Sequence, residues 1–346
     1  MYLNQKNPHG GDVYSNRIRF DFSANINPAG LPESVTNALI RTASHCSAYP
    51  DPYCTALREK IARSEGVCAA SVLCGNGAAE LIYAFAYALP KEKPALVISP
   101  TFCDYAAALS AADIETEQYL LSQADGFCLT DSVLQQDLSC FGALFLCSPN
   151  NPTGITVDPA IVRRLAGTGV RMLLDLTFLD LTDDPDKYDI PALLRAFPNI
   201  TVLRAFTKSY AMAGVRLGYV LCSDGALLED MSKKTQCWNV SAFAQAAGIA
   251  ALDCAQWLRD SVAQIAVQRQ KLTEGLRASG VRVYPGEANF LLLYTEADLY
   301  PKLLQKGILI RDCSNYEGLG KGFYRIAVRT PAENDALLAA VKEALS

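Results

Sequence analysis

The sequence predicts an α/β chain in which a large domain, built on a mostly parallel sheet sandwiched by helices, is joined to a small α+β domain. Three observations predict it. Short β-rich runs alternate with longer helical patterns along most of the chain. Those runs are almost continuously apolar rather than alternating, as expected of strands covered on both faces. Finally, 346 residues with 50% hydrophobic content exceed one compact unit of about 100 to 200 residues, so a large domain with a smaller companion is expected.

Helical periodicity is first met at 33–42 and 53–65, and again at 78–88. The runs Ala95-Leu96-Val97-Ile98, Ala143-Leu144-Phe145-Leu146, Met172-Leu173-Leu174 and Thr201-Val202-Leu203 read as strands, with a helix at 159–165 between the second and third. A long helix is expected from about 242 to 279, long enough to bridge two domains. Beyond it, 281–284, 290–293, 308–310 and 324–328 read as strands of the small unit, and 333–345 closes the chain as an amphipathic helix. The expected division is an N-terminal arm and part of the small domain at 1–45, the large domain at 46–264, and the small C-terminal domain at 265–346.

A net charge of −5 and an isoelectric point near 5.2 leave no basic field to gather phosphate backbones, so nucleic acid is not an expected partner. An anionic ligand must instead be held by a few placed cations. The longest apolar runs, such as 246–252, fall far short of the ~20 residues that cross a bilayer. Residues 1–5 lack the apolar region of a signal peptide. No membrane association and a cytoplasmic location are therefore expected. Twelve cysteines scatter from Cys46 to Cys313 with no Cys-x-x-Cys pair, and the two histidines are His9 and His45, so no metal site is expected. The thiols read as small buried hydrophobes in a reducing compartment.

In open α/β sheets, ligands sit at the carboxyl ends of the strands. Three runs end there in polar loops: Ser148-Pro149-Asn150-Asn151-Pro152-Thr153-Gly154, Asp175, and Phe206-Thr207-Lys208-Ser209. Lys208 sits among small and hydroxyl residues and precedes Gly214-Val215-Arg216-Leu217-Gly218-Tyr219. A lysine in a desolvated pocket beside a second cation, which Arg216 can supply, has a depressed pKa and attacks aldehydes, the requirement for a pyridoxal-phosphate (PLP) imine. A lysine taken alone is more often a solvated surface charge. Asp175 has the chemistry to keep a pyridinium nitrogen protonated, or to cap a helix or turn. Asn151 can bond a ring oxygen or serve as a turn amide. Gly75-Asn76-Gly77-Ala78-Ala79-Glu80 opens a helix whose unpaired amides at Ala78 and Ala79 suit a phosphate.

Taken in order, Gly-Asn-Gly, Pro-Thr-Phe, Asn-Asn-Pro-Thr-Gly, Asp, Thr-Lys-Ser and Gly-x-Arg-x-Gly-Tyr resemble the class I/II aminotransferase superfamily over nearly the whole chain, and within it the histidinol-phosphate aminotransferase branch. The resemblance implies an aspartate-aminotransferase-like PLP fold type I, with 46–264 as the PLP-binding domain. It implies pyridoxal 5'-phosphate held as an imine by Lys208, with Asp175 on the pyridine nitrogen, Asn151 on the ring oxygen and Phe102 stacked on the ring. A phosphate cup is implied at Ala78, Ala79, Thr207 and Arg216. Tyr49 of Tyr49-Pro50-Asp51-Pro52 resembles the tyrosine that reaches the phosphate of a neighbouring subunit, which implies an obligate homodimer with shared active sites.

A narrower resemblance lies at the N-terminus. His9-Gly10-Gly11-Asp12, followed by Asp21-Phe22-Ser23-Ala24-Asn25-Ile26-Asn27-Pro28, is similar to the L-threonine-O-3-phosphate decarboxylase family, cobalamin-pathway enzymes that make aminopropanol phosphate. It implies decarboxylation of a phosphorylated amino acid, threonine phosphate first and serine phosphate second. The alternative is transamination of histidinol phosphate or a related amino acid. Substrate contacts are implied at His9, Gly10, Asn25, Asn151, Arg311 and Arg325. A substrate with both a carboxylate and a phosphate needs two cationic clamps, and arginine offers the planar fork suited to each. Which arginine grips which anion is left open. Asp175-Leu176-Thr177-Phe178 departs from the family's more usual Asp-Glu-Ala-Phe or Asp-Glu-Ala-Tyr. Phe178 cannot reach the ring oxygen as a tyrosine would, which agrees with the decarboxylase resemblance.

Overall fold

A computed structural model describes residues 9–345 of the chain; residues 1–8 of the expected N-terminal arm lie outside them. From the N-terminus the elements are β1 (Phe20–Asp21), α1 (Glu33–Thr42), α2 (Thr55–Glu65), β2 (Val72–Gly75), α3 (Gly77–Tyr87), β3 (Ala95–Ser99), α4 (Asp104–Ala111), β4 (Thr116–Leu120) and β5 (Ala143–Cys147). There follow α5 (Pro159–Ala166), β6 (Arg171–Asp175), α6 (Ile190–Ala196), β7 (Ile200–Ala205), α7 (Phe206–Ser209), β8 (Gly218–Cys222), α8 (Gly225–Ser232), α9 (Ala242–Ala251) and α10 (Ala255–Ala278). The last elements are β9 (Arg282–Val283), β10 (Phe290–Tyr294), α11 (Leu299–Gln305), β11 (Ile308–Leu309), β12 (Arg311–Asp312), β13 (Phe323–Ala327) and α12 (Pro331–Leu345).

Seven strands make the large sheet in the order β2-β8-β7-β6-β5-β3-β4. From β7 to β4 every neighbouring pair is parallel, whereas β8 runs antiparallel to both β7 and β2. Every residue of β3, β5 and β7 is buried, which explains why they are almost continuously apolar; the charged exception, Arg204 of β7, is paired with Glu65 and Asp180. The pleat divides them between two cores. Leu144 and Leu146 face the layer that holds Leu57, Ile61 and Val162, while Phe145 and Cys147 face the layer of Leu81, Phe85 and Leu109. At the open edge, β4 exposes Glu117, Gln118 and Leu120, and its charge discourages pairing with another chain.

The small unit is an antiparallel sheet ordered β12-β13-β10-β9, whose buried face shares a core with Leu272 and Leu276 of α10 and Leu337 and Val341 of α12. β11 does not join it. The expected strand at 308–310 pairs instead, in parallel, with β1 of the arm, because Gly307 O takes the Arg19 and Phe20 N–H groups and Leu309 O takes that of Phe22.

Two further expectations are corrected. Of the cysteines expected as small buried hydrophobes, Cys54, Cys74, Cys147, Cys222 and Cys313 are buried, but Cys46, Cys68, Cys128, Cys140 and Cys237 are exposed. The single helix expected from 242 to 279 is two helices, α9 and α10, broken at 252–254. The break carries no Gly or Pro, so periodicity alone ran through it. It forms because the Asp253 and Cys254 N–H groups tighten onto Ala250 O and Ala251 O, three residues back, while the Asp253 carboxylate turns away to Lys60 of α2 at 2.6 Å. Among the described residues, no helix is long and apolar enough to cross a membrane.

Candidate active site

The carboxyl ends of β3, β5, β6 and β7, together with the start of α3, surround a cavity of about 340 Å³, within the range that holds small ligands. A larger, more open cleft of about 1000 Å³ lies behind α7, lined by Glu65, Asp180, Arg204, Tyr210 and Tyr219, but it carries none of the expected site residues. Apart from Tyr49, every expected residue lines the smaller cavity: His9, Gly10, Asn25, Ala78, Ala79, Phe102, Asn151, Asp175, Thr207, Lys208, Arg216, Arg311 and Arg325. Tyr49 is 79% exposed and stacks on Trp238 with ring centroids 4.4 Å apart, outside the cavity of its own chain.

Lys208 follows β7 on the one-turn helix α7 and is partly open to the cavity. The protein packed around it, then the positive charges of Arg325 and Arg216, lower its pKa from 10.5 to about 8, against the opposing pull of Asp175. Its Nζ lies 5.9 Å from the centre of the Phe178 ring. A folded-state pKa below the unfolded one means that the unfolded chain binds the extra proton, so stability rises as pH climbs from about 8 to 10.5. Below that window, charged Lys208 destabilises the fold by up to about 3 kcal/mol. In protein stripped of small molecules, Lys208→Met is expected to raise the melting temperature at pH 7, with the gain fading toward pH 10.5. Thermal unfolding across that range checks it; an equal gain at both ends would acquit the charge.

Asp175 ends β6 and is buried. Its Oδ2 accepts a hydrogen bond from Tyr105 Oη at 2.5 Å and its Oδ1 accepts the Thr177 N–H at 2.9 Å. Burial pushes its pKa up, and these two donors restrain the rise. Tyr105, on α4, was missed in the sequence; the available signal was an aromatic residue one turn beyond Phe102, whose ring meets it edge-on at 5.8 Å.

At the start of α3 the backbone comes close to Arg216. Gly77 has φ +80°, and a Cβ there would lie 2.7 Å from Arg216 Nη2. A Cβ on Gly218 would lie 2.8 Å from the Ala78 nitrogen. Only glycine leaves room for this cradle. Helix amides at Ala78 and Ala79, the Thr207 hydroxyl and the Arg216 guanidinium converge there as donors for an anion.

The opposite wall comes from the small domain and the arm. Arg311 and Arg325 are directly opposed partners across β12 and β13, and both are buried. Like charges in that register repel, and an anion between them relieves the repulsion. Arg325 Nη1 donates to Asn151 Oδ1, and its Nη2 to Ser23 O at 2.5 Å. Arg311 Nη2 donates to Asn315 Oδ1 at 2.8 Å, and its guanidinium lies 5.0 Å over the Tyr316 ring. Tyr316 was also missed; its hydroxyl reaches Asn151 Oδ1 at 3.5 Å. Asn25 is buried, and its Oδ1 has no hydrogen-bond partner among the described residues. His9 Nε2 lies 3.2 Å from Asp104 and its Nδ1 3.6 Å from Cys103 Sγ. Asp104, then Cys103, raise its pKa to about 9, which makes it a cation at neutral pH. One donor atom each from His9, Cys103 and Asp104 lie within 4.8 Å of one another. Gly10 packs so tightly on the arm that an added Cβ would sit 2.3 Å from Ser23 O.

This donor set fits a phosphorylated pyridine aldehyde: an anion cradle at one end, a buried carboxylate for a protonated ring nitrogen, and a partly neutral lysine between them. Three further cations, Arg311, Arg325 and His9, stand on the substrate side.

The family model described as "Aminotransferase class I and II" matches residues 17–341. The threonine-phosphate decarboxylase of Salmonella typhimurium is 40% identical over 337 residues, covering 94% of this chain and 91% of that protein. The adenosylcobalamin biosynthesis bifunctional protein CobDQ of Leptospira interrogans is 31% identical over 331 residues, 92% of this chain and 38% of that one. Among solved structures, the histidinol-phosphate aminotransferase of Clostridium acetobutylicum superposes with a TM-score of 0.88 at 26% identity, covering 94% of this chain and 99% of that one.

Proposed function

We propose that this chain, which belongs to the aminotransferase class I and II family, is a PLP-dependent carboxy-lyase. It removes carbon dioxide from L-threonine O-3-phosphate, in cobalamin biosynthesis, to leave (R)-1-aminopropan-2-yl phosphate. The observation that carries the substrate class is the opposed pair Arg311 and Arg325 beside Lys208. Two adjacent cationic forks suit a substrate with two anions, a carboxylate and a phosphate.

When bound, the cofactor draws electrons from the substrate's α-carbon into its protonated ring. The residues do the rest. Lys208 would hold the cofactor covalently until the substrate's amine displaces it, and the freed amine, with a pKa near 8 in the unloaded site, would return a proton to the α-carbon after carbon dioxide leaves. Asp175, braced by Tyr105, keeps the ring nitrogen protonated. Ala78, Ala79, Thr207 and Arg216 would grip the cofactor phosphate, with Phe102 and Asn151 on the same cavity wall to meet its ring. Arg311, Arg325, His9, Gly10 and Asn25 receive the substrate. Phe178 brings no hydroxyl to the ring.

We also assign a homodimer with shared sites, in which exposed Tyr49 reaches the neighbouring subunit's phosphate cup, a cytoplasmic location, and the division 1–45, 46–264 and 265–346. The second reading, a histidinol-phosphate-type aminotransferase, draws on the likeness to the Clostridium acetobutylicum structure.

The test is to mix PLP-loaded enzyme with L-threonine phosphate in the absence of any oxo-acid and follow carbon dioxide and aminopropanol phosphate, with serine phosphate alongside. Equal release of both products is expected. Turnover only when histidinol phosphate and 2-oxoglutarate are supplied would replace the decarboxylase with the aminotransferase.

A further inference from the structure

Lys208 stands on a helix of four residues, followed at Ala211 by a left-handed backbone (φ 54°). So short a helix has no stability of its own, and neighbours must hold it. Two braces do so. From the large domain, Asp180 Oδ2 accepts the Ser209 hydroxyl at 3.0 Å while its Oδ1 accepts Arg204 Nη2 at 2.6 Å. From the arm, the Asn27 N–H donates to Lys208 O at 3.1 Å. The Asn27 side-chain amide donates to Ser209 O and to Ser261 Oγ, each at 2.8 Å, and its Oδ1 accepts the Ala29 N–H at 3.0 Å.

Asn27 is 1% exposed and does not line the cavity, so its influence on the site runs through the backbone it holds. Two residues before it is Asn25, and the same arm presents Gly10, Ser23 and Asn25 to the cavity. Upstream, Phe22 is bonded to the small domain on both sides: its N–H to Leu309 O, and its carbonyl to the Ala327 N–H. The arm is thus a continuous strap from the small domain, past the substrate wall, to the lysine.

We propose that Asn27 is a positioning residue that ties the substrate-lining arm to the peptide carrying Lys208, so that seating of the arm and placement of the lysine change together. This rests on the proposed role of Lys208 as the cofactor-bearing residue. Of the charged groups that act on Lys208, Arg325 itself holds the arm at Ser23 O, four residues before Asn27, so a loosened arm reaches the lysine through that charge as well as through its backbone.

The experiment uses PLP-loaded Asn27→Ala, with Ser261→Ala as the control that removes the amide's other acceptor. Amide hydrogen exchange is followed at 22–29 and at 206–211, together with the pH titration of the lysine-bound cofactor's absorbance and kcat and KM separately. Asn27→Ala is expected to speed exchange in both segments by about ten-fold. It is also expected to move the titration midpoint by about half a pH unit or more and to lower kcat by about ten-fold. Ser261→Ala leaves midpoint and kcat as in the wild type. Faster exchange in the arm alone, with 206–211 and the midpoint unmoved, overturns the coupling, as does no change in either segment. Should Asn27→Ala fail to fold, Asn27→Asp keeps the size, the backbone N–H and the acceptor for Ala29 while setting an oxygen against Ser209 O, and it is read the same way. Exchange and absorbance need no substrate. Failure of wild-type enzyme to decarboxylate threonine phosphate therefore counts against the proposed function and leaves this coupling to be judged by its own readouts.

Discussion

Lys208→Ala is expected to lose the imine absorbance of the loaded enzyme and to lose turnover by at least the 10²- to 10⁴-fold, roughly, that follows removal of a proton-transferring group. The absorbance goes because the covalent bond to the cofactor goes; the turnover goes because the same amine is the group assigned to return the proton. Among the described residues, no other lysine lines the cavity to take its place. The cofactor phosphate still has Arg216 and the α3 amides, so the variant should bind PLP that dialysis removes. Spectra before and after dialysis check this. An absorbance band that survives dialysis would take Lys208 out of the chemistry, whatever its pKa.

The second large effect is expected on the substrate side. Arg311→Lys and Arg325→Lys keep the charge but lose the fork, and each should weaken substrate binding by about 1.5 to 3 kcal/mol, a roughly ten- to hundred-fold rise in KM. Arg325 should show the larger effect, because its two terminal nitrogens also hold Asn151 Oδ1 and Ser23 O, so a lysine there loosens the amide and the arm along with the anion. Kinetics with L-threonine phosphate, and melting temperatures to exclude unfolding, decide it. Unchanged KM in both variants would refute the two-clamp arrangement.

The structure also bears on how the site came to be readable. Lys208, Asp175, Asn151 and the Gly77 turn each follow a strand or open a helix, so local pattern located them at one edge of the sheet. Their partners were not readable in the same way. Tyr105 binds a carboxylate 70 residues further along, and Asn27 binds a carbonyl 182 residues away. Neither contact leaves a trace in local periodicity. The antiparallel course of β8 and the pairing of β11 with the arm were hidden for the same reason: each depends on what lies alongside, not on what comes next.

Taken by itself, the sequence determined the alternation of buried strands and helices, the order of the cofactor-site motifs, and the presence of two arginines near the C-terminus. These are properties of neighbouring residues, set by side-chain polarity, backbone freedom at glycine and the period of each element. Only the tertiary structure decided that the two arginines face each other across one strand pair, that Tyr105 braces Asp175, that Tyr49 points away from its own chain's cavity, and that the arm is fastened to the lysine. Strand register and close packing bring those groups together, and they act between segments that the chain order keeps far apart.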